Sequence, residues 1–375
     1  MRFAHLLLLG LFFTIGCKSK APGAERFKGS MECETFANVP DLHEQINSWQ
    51  VFESDGQVHV VALGWKEISH LSFNGKAWSK VDTFSHGSET GRVVEAIGAK
   101  GGVDVFFYNE SGTFHVRRTS LGWGNPLKLH DKQMDVEATF HDGKLYAISR
   151  DPIFESEGKT PFGEYAIRAF DGDKWSPPVF LGVRSSQVPP NSMHLLSHSG
   201  QLHALYFSVY EKTSMHPGEY ESHNDAVIYQ NLSAEGWSKP EEIAGPYARP
   251  GKLHVLDGRV HVSFGDFKNT LNIARQEPDG TFKTLEDSPF EKMEAPSLRS
   301  FTSDGRLLYK QNRTAMQATV IGSSIEKKEI LKQGTNQTNY WLVEAIAEQG
   351  HADFAIAPSG NLGQLATYCP GPTEG

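Results

Sequence analysis

The densest group of side chains capable of chemistry lies in the stretch EKTSMHPGEYESHNDA, which starts at Glu211. Imidazole and carboxylate groups are ligands for zinc and related metals, whereas clustered carboxylate oxygens suit calcium. Their spacing matches no metal-binding motif, so three interpretations stay open: a divalent metal site, a solvated acidic loop, or a polar loop that contacts a sugar or a peptide. The candidate residues are His216, Glu219, Glu221, His223 and Asp225.

A second polar stretch, DPIFESEGKTPFG, starts at Asp151 and is followed by Glu164. Aromatic rings beside carboxylates are typical of sugar-binding sites, because CH groups pack on the ring while hydroxyls bond to the polar groups. We therefore predict that these two stretches and nearby residues form one binding face. The remaining predicted binding residues are Trp65, Arg150, Asp151, Glu155, Glu164 and Asp266.

The same carboxylates allow an enzymatic alternative. Most glycoside hydrolases need two carboxylates about 5 to 10 Å apart, and a pair drawn from both stretches would serve a hydrolase or a lyase. The sequence has no G-x-S-x-G element, no H-E-x-x-H element and no phosphate-binding glycine loop. We therefore favour a binding module without catalytic residues.

A repeated hairpin must position these stretches. Segments such as DGQVHVVALGW, DGKLYAISRD and DGRVHVSFGDF begin with a turn of Asp-Gly type and continue as an alternating strand. The turn glycines are predicted at positions 56, 102, 143, 200, 258, 305 and 350. Spacings of this size suit four-stranded propeller blades. The sequence predicts an all-β fold, a β-propeller of seven four-stranded blades.

A large aromatic residue recurs where the fourth strand of each unit begins. It should pack one sheet against the next, because each meander alone exposes two apolar faces. These aromatic residues are Trp78, Trp123, Trp175, Trp237 and Phe282. In this strand order the two long polar stretches fall at one end of adjacent blades, which is typical of the binding side of a repeat protein.

Three histidines, His59, His203 and His261, each follow a turn glycine by three residues. Their repetition separates them around the ring, so they cannot form one metal site. We predict that they are structural residues with hydrogen-bond partners.

The seventh unit lacks a fourth strand, and residues 31–40 can supply it from the other end of the chain. Such closure would set Cys33 beside Cys369 and predicts a disulfide between them; two free buried thiols are the alternative. On a chain-entropy description, a loop of this length would stabilise the fold by about 4 to 5 kcal/mol.

The chain begins with an apolar leader, residues 1–16, that is too short to span a membrane. Its end, TIGC, resembles the lipobox of bacterial lipoproteins, which implies lipidation of Cys17 and a stable membrane anchor. Lys18 in place of an aspartate favours the outer membrane over the inner one. Ordinary secretion with cleavage nearby is the alternative. Residues 17–30 read as the lipidated tether, 31–370 as the propeller and 371–375 as a tail.

The pattern DGxxHV followed by GxWSxP resembles the repeats of sialidase-like and lectin-like propellers of exported bacterial proteins. The resemblance covers about residues 31–370 and implies architecture, since the Asp-box register and the Arg-Ile-Pro element of sialidases are missing. A formal net charge of −9 argues against a nucleic-acid partner. We expect no cofactor, and a glycan or an envelope protein as partner; a structural subunit of an envelope complex is a further alternative.

Overall fold

The protein is described from a computed structural model that covers most of the central part of the chain. The predicted leader, tether and tail lie outside the described residues, as do Cys17, Cys33 and Cys369. The described residues are 37–38, 48–54, 57–73, 78–99, 101–154, 162–185, 192–211, 223–245, 248–266, 268, 270–285, 299–301, 307–311, 314–321, 324–331, 344–346, 354–359 and 364–368.

Within these residues the fold is all-β, and the strands pair antiparallel in separate sheets numbered here in chain order. Sheet 1 contains β2 (Ser48–Ser54), β3 (Gln57–Leu63), β4 (Glu67–Phe73) and β5 (Trp78–Ser85). Sheet 2 contains β6 (Gly91–Ala99), β7 (Gly102–Asn109), β8 (Gly112–Thr119), β9 (Gly122–Trp123) and β10 (Leu127–His130). Sheet 3 contains β11 (Val136–His141), β12 (Lys144–Phe154), β13 (Phe162–Phe170) and β14 (Val179–Ser185). Sheet 4 contains β15 (Met193–His198), β16 (Gln201–Glu211), β17 (His223–Ser233), β18 (Gly236–Trp237) and β19 (Glu241–Ala244).

The remaining described strands form three further sheets. Sheet 5 contains β20 (Arg249–Leu256), β21 (Arg259–Gly265), β22 (Leu271–Gln276) and β23 (Phe282–Thr284). Sheet 6 contains β24 (Arg299–Phe301), β25 (Leu307–Gln311), β26 (Thr314–Ile321) and β27 (Ser324–Leu331). Sheet 7 contains β28 (Glu344–Ile346), β29 (Phe354–Ser359), β30 (Gln364–Tyr368) and, beside β30, the N-terminal β1 (Ala37–Asn38). None of the described residues belongs to a helix that is long and apolar enough to cross a membrane.

The described hairpins between first and second strands have tight turns; the predicted turn glycines 56, 305 and 350 lie outside the described residues. In sheets 3, 4 and 5 the turn is Asp142-Gly143, Ser199-Gly200 or Asp257-Gly258, and both residues of each turn have positive φ. Such turns match the twist of the flanking strands, which explains the preference for Asp-Gly. In sheet 2 the prediction is off by one residue. Gly101, with φ of 76°, is the turn glycine, and Gly102 already begins β7.

The predicted start of the fourth strand at Trp175 is wrong in detail. Trp175 makes only an isolated bridge to Phe170, and β14 begins four residues later. The segment KWSPP explains the gap, because proline has no N–H for the ladder and is confined to breaks and edges in sheets. GWGNP and GWSKP produce the same interruption in sheets 2 and 4, whereas AWSK lacks proline and β5 is continuous.

Three of the predicted aromatic residues, Trp123, Trp175 and Phe282, pack against the preceding sheet, whereas the side chain of Trp78 lies outside the described part of the chain. The ring of Trp123 lies 5.6 Å from that of Phe84 in sheet 1, and Trp175 lies 5.7 Å from Phe106 in sheet 2. Phe282 makes an edge contact with Tyr229 in sheet 4 at 4.7 Å. The buried apolar clusters likewise draw their members from two consecutive sheets, so the core lies between sheets.

Consecutive sheets meet along their first strands. β2 contacts β6, and the contacts continue in chain order through β11, β15, β20, β24 and β28; β28 also contacts β2. Like ends of neighbouring sheets lie together. The ring of His141 bonds to Ser197 Oγ at 3.0 Å, and His198 bonds to the carbonyl oxygen of Gly258 at 3.1 Å, which joins the first hairpin turns of sheets 3, 4 and 5.

The opposite end carries the connections between second and third strands and those between successive sheets. We call it the insertion end, because the two long polar stretches connect β12 to β13 and β16 to β17. Hydrogen bonds at this end tie one connection to the next. The amide of His86 donates to the carbonyl oxygen of Lys66 at 3.2 Å, and Asn109 Nδ2 donates to the carbonyl oxygen of His86 at 3.1 Å.

Candidate functional site

Six of the predicted binding residues lie wholly or partly outside the part of the chain that the structure describes. Glu155, His216, Glu219 and Glu221 are outside it. For His223 and Asp225 only the backbone is described, in β17 opposite Glu211 and Val209. The divalent metal site at this loop therefore stays a prediction. Among the described residues, no group of three histidine, cysteine, aspartate or glutamate side chains could hold a metal ion.

Trp65 lies in the short turn between β3 and β4, at the insertion end of sheet 1. Its side chain is 52% exposed, and the neighbouring Lys66 and Glu67 are exposed as well. The turn is held by the amide of Gly64, which donates to the carbonyl oxygen of Glu67 at 2.9 Å. An indole held on a tight turn beside one cation and one carboxylate is suited to stacking against a sugar ring.

Asp151 bonds to three groups that link sheets 2 and 3. The guanidinium of Arg168 donates to both carboxylate oxygens, one at 3.1 Å, and Ser149 Oγ donates at 3.1 Å. His130 of sheet 2 approaches Asp151 at 3.2 Å through Nε2. Burial lowers the pKa of His130, and Asp151 opposes this effect.

The group of Ser149, His130 and Asp151 has the composition of a nucleophilic triad but not its geometry. Ser149 Oγ and Asp151 Oδ1 both approach the same ring nitrogen, Nε2 of His130, at 3.0 and 3.2 Å. A triad histidine needs one nitrogen for the nucleophile and the other for the carboxylate. Ser149 is also 1% exposed. This group joins two sheets and is not arranged for acyl transfer.

Arg150, Glu164 and Asp266 also have local structural contacts. The stem of Arg150 passes over Gly163, where a Cβ would lie 2.7 Å from Arg150 Cγ. Glu164 Oε1 accepts a hydrogen bond of 2.9 Å from the amide of Gly182 at an irregularity of β14. Asp266 Oδ1 accepts from the amide of Thr270 at 2.8 Å and so shapes the turn that follows β21. Their roles in binding stay predictions.

The strand-B histidines have partners near their own strands, which agrees with a structural role. His59 Nδ1 lies 3.0 Å from His70 Nε2, and His261 Nδ1 lies 3.1 Å from the carbonyl oxygen of Arg259. His203 Nδ1 lies 2.6 Å from the Tyr229 hydroxyl. Burial lowers the pKa of His203 to about 4, so this ring is neutral at pH 7.

One group of polar side chains was not predicted from the sequence. Glu95, Glu137, His194 and Lys252 lie on the first strands of sheets 2, 3, 4 and 5, at equivalent register positions opposite the second strand. We call these four residues the inner-strand cluster. Each is partly buried, with the side chain of His194 19% and that of Glu137 25% exposed.

Contacts run through the inner-strand cluster from sheet to sheet. Glu95 hydrogen-bonds to Glu137, and Glu137 Oε1 lies 3.5 Å from His194 Nε2. His194 Nδ1 accepts a hydrogen bond of 3.2 Å from the amide of Leu253, so a neutral ring carries its proton on Nε2 and directs it towards Glu137. The Lys252 ammonium acts electrostatically on both Glu137 and His194.

The environment shifts both titratable groups at the centre of the cluster towards neutrality. Burial raises the pKa of Glu137 to about 7, against the opposing effects of Lys252 and of the hydrogen bond to Glu95. Burial, with a smaller contribution from Lys252, lowers the pKa of His194 to about 3. Near pH 7 Glu137 is therefore about half protonated, beside a neutral imidazole and an ammonium.

A positional signal in the sequence could have revealed this cluster. Each member stands six residues before the glycine of its first hairpin turn, and the same position holds Gln50 in sheet 1. In the sequence the position is also polar before Gly305 and Gly350, at Arg299 and Glu344. The residue types differ from unit to unit, so a search for identical residues passes over them.

Comparison with known proteins supports the fold and not the site. No family model matches the chain, and no curated protein matches it. An ulvan lyase of a polysaccharide lyase family designated PL25 aligns with 90% of this chain and 95% of its own, with a TM-score of 0.58 and 12% identity. The polysaccharide lyase Uly1 aligns with 93% of this chain and 95% of its own, with a TM-score of 0.51 and 9% identity.

A lectin is similar as well. SapL1, solved with alpha methyl fucoside, aligns with 76% of this chain and 97% of its own, with a TM-score of 0.46 and 9% identity. Such structural neighbours have β-propeller-like folds. At these identities the likeness of the two lyases shows the fold alone: the chain has an all-β, propeller-like fold.

Proposed function

We propose that this protein is a lipid-anchored β-propeller of the bacterial cell envelope that binds a glycan at its insertion end without cleaving it. The observation that carries the proposal is Trp65, a half-exposed indole beside Lys66 and Glu67 at that end. Rigid exposed aromatic side chains with polar neighbours are suited to sugars, whose faces are apolar and whose edges are polar. The polar connections after Asp151 and Glu211 leave the sheets at the same end.

The proposed architecture is a closed ring of seven blades, with the N-terminal strand completing the last. Two observations support it: the contact of β28 with β2, and the antiparallel pairing of Ala37 with Leu365 between β1 and β30. Ring closure removes the free edges that would otherwise favour aggregation.

The register of β1 and β30 also supports the proposed disulfide. Ala37 pairs with Leu365 and Asn38 with Gln364. Continued by four residues, this register would set Cys33 directly opposite Cys369. Directly opposed residues of antiparallel strands have Cα atoms about 4.5 to 5.5 Å apart, a separation that a disulfide can bridge. The lipid anchor at Cys17 and the outer-membrane location rest on the sequence of the leader.

A catalytic role is the second candidate, and the inner-strand cluster favours it. A carboxyl with a pKa of about 7 beside a second carboxylate, an imidazole and an ammonium could transfer a proton during hydrolysis or elimination. A glycoside hydrolase or a lyase would use such groups together with the carboxylates of the two long connections.

The test is a glycan-array screen with the whole chain purified in detergent, alongside Trp65→Ala and a matched control. Leu121→Ala is the control, because Leu121 is 97% exposed in a turn at the opposite end of sheet 2. We expect binding by the wild type and the control and a loss of at least tenfold in Trp65→Ala. Absence of glycan binding by the wild type contradicts the proposal. Release of new reducing ends from a bound glycan would favour the enzyme instead.

A further inference from the structure

The inner-strand cluster is set into an otherwise apolar line of contacts between the first strands. The residues before and after Glu137 and His194 are buried on the opposite face of each strand: Val136, Ala138, Met193 and Leu195. Polar side chains at this depth cost free energy unless they bond to something. Four ionisable groups at one register level in four consecutive sheets therefore need an explanation beyond packing.

Part of the hydrogen-bonding capacity of the cluster is already used. Both nitrogens of His194 are engaged, with the amide of Leu253 and with Glu137. Glu95 Oε1 accepts a hydrogen bond of 2.8 Å from the amide of Ala96. These contacts fix the orientation of His194 and of Glu95, as a preorganised binding site requires.

Other groups at the same level have capacity left. Lys252 makes no hydrogen bond or salt bridge with the described residues, and its ammonium has three donors. The hydroxyl of Ser192, a residue that is 2% exposed and lies two positions before His194, also has no partner in the described part of the chain. A carboxylate has about four acceptor positions, so Glu95 and Glu137 can each accept more than one hydrogen bond.

The charges at this position indicate the kind of ligand. At pH 7 the Glu137 carboxyl is about half ionised, the Lys252 ammonium acts on it electrostatically, and His194 is neutral. Hydrogen-bond acceptors and donors thus lie side by side. Hydroxyl groups both donate and accept, whereas an anionic sugar would meet carboxylate oxygens.

We propose that the inner-strand cluster is a binding site for an uncharged, hydroxyl-rich sugar unit, in which Glu95 and Glu137 accept hydrogen bonds from sugar hydroxyls and Lys252 donates one. This inference rests on the proposed glycan binding and assigns it to residues. Gln50 occupies the equivalent register position in sheet 1, so a fifth sheet has a polar side chain there. Its Nε2 donates a hydrogen bond of 2.8 Å to the carbonyl oxygen of Val94. Gln50 pairs with Val61, which lies two residues before β3 ends at Leu63. The register level of the cluster is therefore about two residues from the insertion end.

The experiment compares variants of the whole chain in detergent on an array that holds neutral and uronate-containing oligosaccharides. The neutral oligosaccharide bound best by the wild type then serves as the calorimetric probe for Glu95→Gln, Lys252→Met and Lys252→Arg. Glu235→Gln is the matched control, since Glu235 is exposed in the turn between β17 and β18, at the end opposite the insertion end. A hydrogen bond to a charged group contributes about 1.5 to 3 kcal/mol, or roughly tenfold or more in affinity.

We expect Glu95→Gln and Lys252→Met to weaken binding at least tenfold, Lys252→Arg to recover part of the loss, and the control to stay within twofold. Neutral-sugar binding that all the variants retain would overturn the assignment and leave the proposed function standing. Binding of uronates alone would overturn the assigned sugar class. Binding of no oligosaccharide by the wild type would overturn both. Thermal unfolding of each variant identifies losses caused by misfolding, and Lys252→Arg, which keeps the positive charge, then decides the outcome.

Discussion

Two buried carboxyl groups in neighbouring sheets have opposite surroundings. Asp104 of sheet 2 is fully buried and bonds to His115 at 2.7 Å and to Arg117 at 2.8 and 3.0 Å. Glu137 of sheet 3 instead faces Glu95, and its pKa is raised to about 7. Asp104 has Arg117 on both carboxylate oxygens and His115 on Oδ1, whereas for Glu137 the effect of burial outweighs those of its partners.

The difference separates a polar group that serves the fold from one that does not. The Asp104 group lies between sheets 2 and 3, where His115 packs on Phe106 and Trp175, and Arg117 lies 5.1 Å from the centre of the Phe170 ring. It is part of the sheet interface. In the inner-strand cluster burial raises the pKa of Glu137 despite its hydrogen bond to Glu95, and such a perturbed carboxyl costs stability when it ionises and is common at binding and catalytic sites.

The largest effect is expected for Asp104→Asn. The substitution leaves His115 buried without its anionic partner and removes the bidentate partner of Arg117. Breaking one side of a buried ion pair costs about 3 to 5 kcal/mol, and we expect about 3 kcal/mol here because Arg117 can still reach water. Denaturant unfolding measures the loss. Asp173→Asn, an exposed aspartate of sheet 3, should change the free energy of unfolding by less than about 0.5 kcal/mol. Equal losses of unfolding free energy in the two variants would contradict a stabilising role for the Asp104 ion pair.

Glu137→Gln should show the opposite behaviour, with a smaller size and a clear pH dependence. The folded pKa of Glu137 is raised from 4.5 to about 7, so its contribution to stability is complete below pH 4.5 and is lost as the pH rises through 7. Glutamine mimics the protonated acid and has no such loss. We expect the variant to match the wild type near pH 4.5 and to exceed it by about 2 to 3 kcal/mol at pH 8. The shift corresponds to about 3 to 4 kcal/mol at roughly 1.4 kcal/mol per pKa unit, and solvent screening at a side chain that is 25% exposed reduces it. Unfolding midpoints at both pH values test this, and a variant less stable at pH 8 would contradict it.

Tyr229→Phe should have the smallest effect of the three. It removes the hydroxyl that bonds to His203 Nδ1 at 2.6 Å and accepts from Gln276 Nε2 at 3.1 Å. Leaving buried polar atoms without a partner costs about 1 to 2 kcal/mol. Tyr108→Phe is the control, because its hydroxyl has no hydrogen-bond partner among the described residues. A Tyr229 effect no larger than the control's would show that hydrogen bonds of the sheet interface add little to stability.

Much of the fold could be predicted from turn chemistry and aromatic spacing. Asp142-Gly143 and its equivalents demand positive φ, and the fourth-strand aromatic residues meet the preceding sheet. The Gly-Gly pair at 101 and 102 allows two placements of the turn, and only strand pairing decides between them. Proline after Trp175 shortened the fourth strand, which the search for aromatic residues overlooked.

The candidate site was harder to predict. Contacts of Asp151 with Arg168 and His130 cross strands and sheets, and sequence spacing carries no information about them. The four residues of the inner-strand cluster occupy the same position in their units but differ in residue type. A comparison of the units by residue identity therefore does not detect them. Register, counted from the turn glycines, brings them into one group.

The central claim is that the inner-strand cluster serves binding and not stability. The most direct experiment measures two quantities at pH 7, the affinity for the sugar and the unfolding midpoint. Both are measured on the same sample of Glu95→Gln and compared with those of Asp104→Asn. The account predicts that Glu95→Gln loses at least tenfold in affinity while its midpoint stays equal to or above that of the wild type. A lowered midpoint with unchanged affinity, as expected for Asp104→Asn, would contradict it.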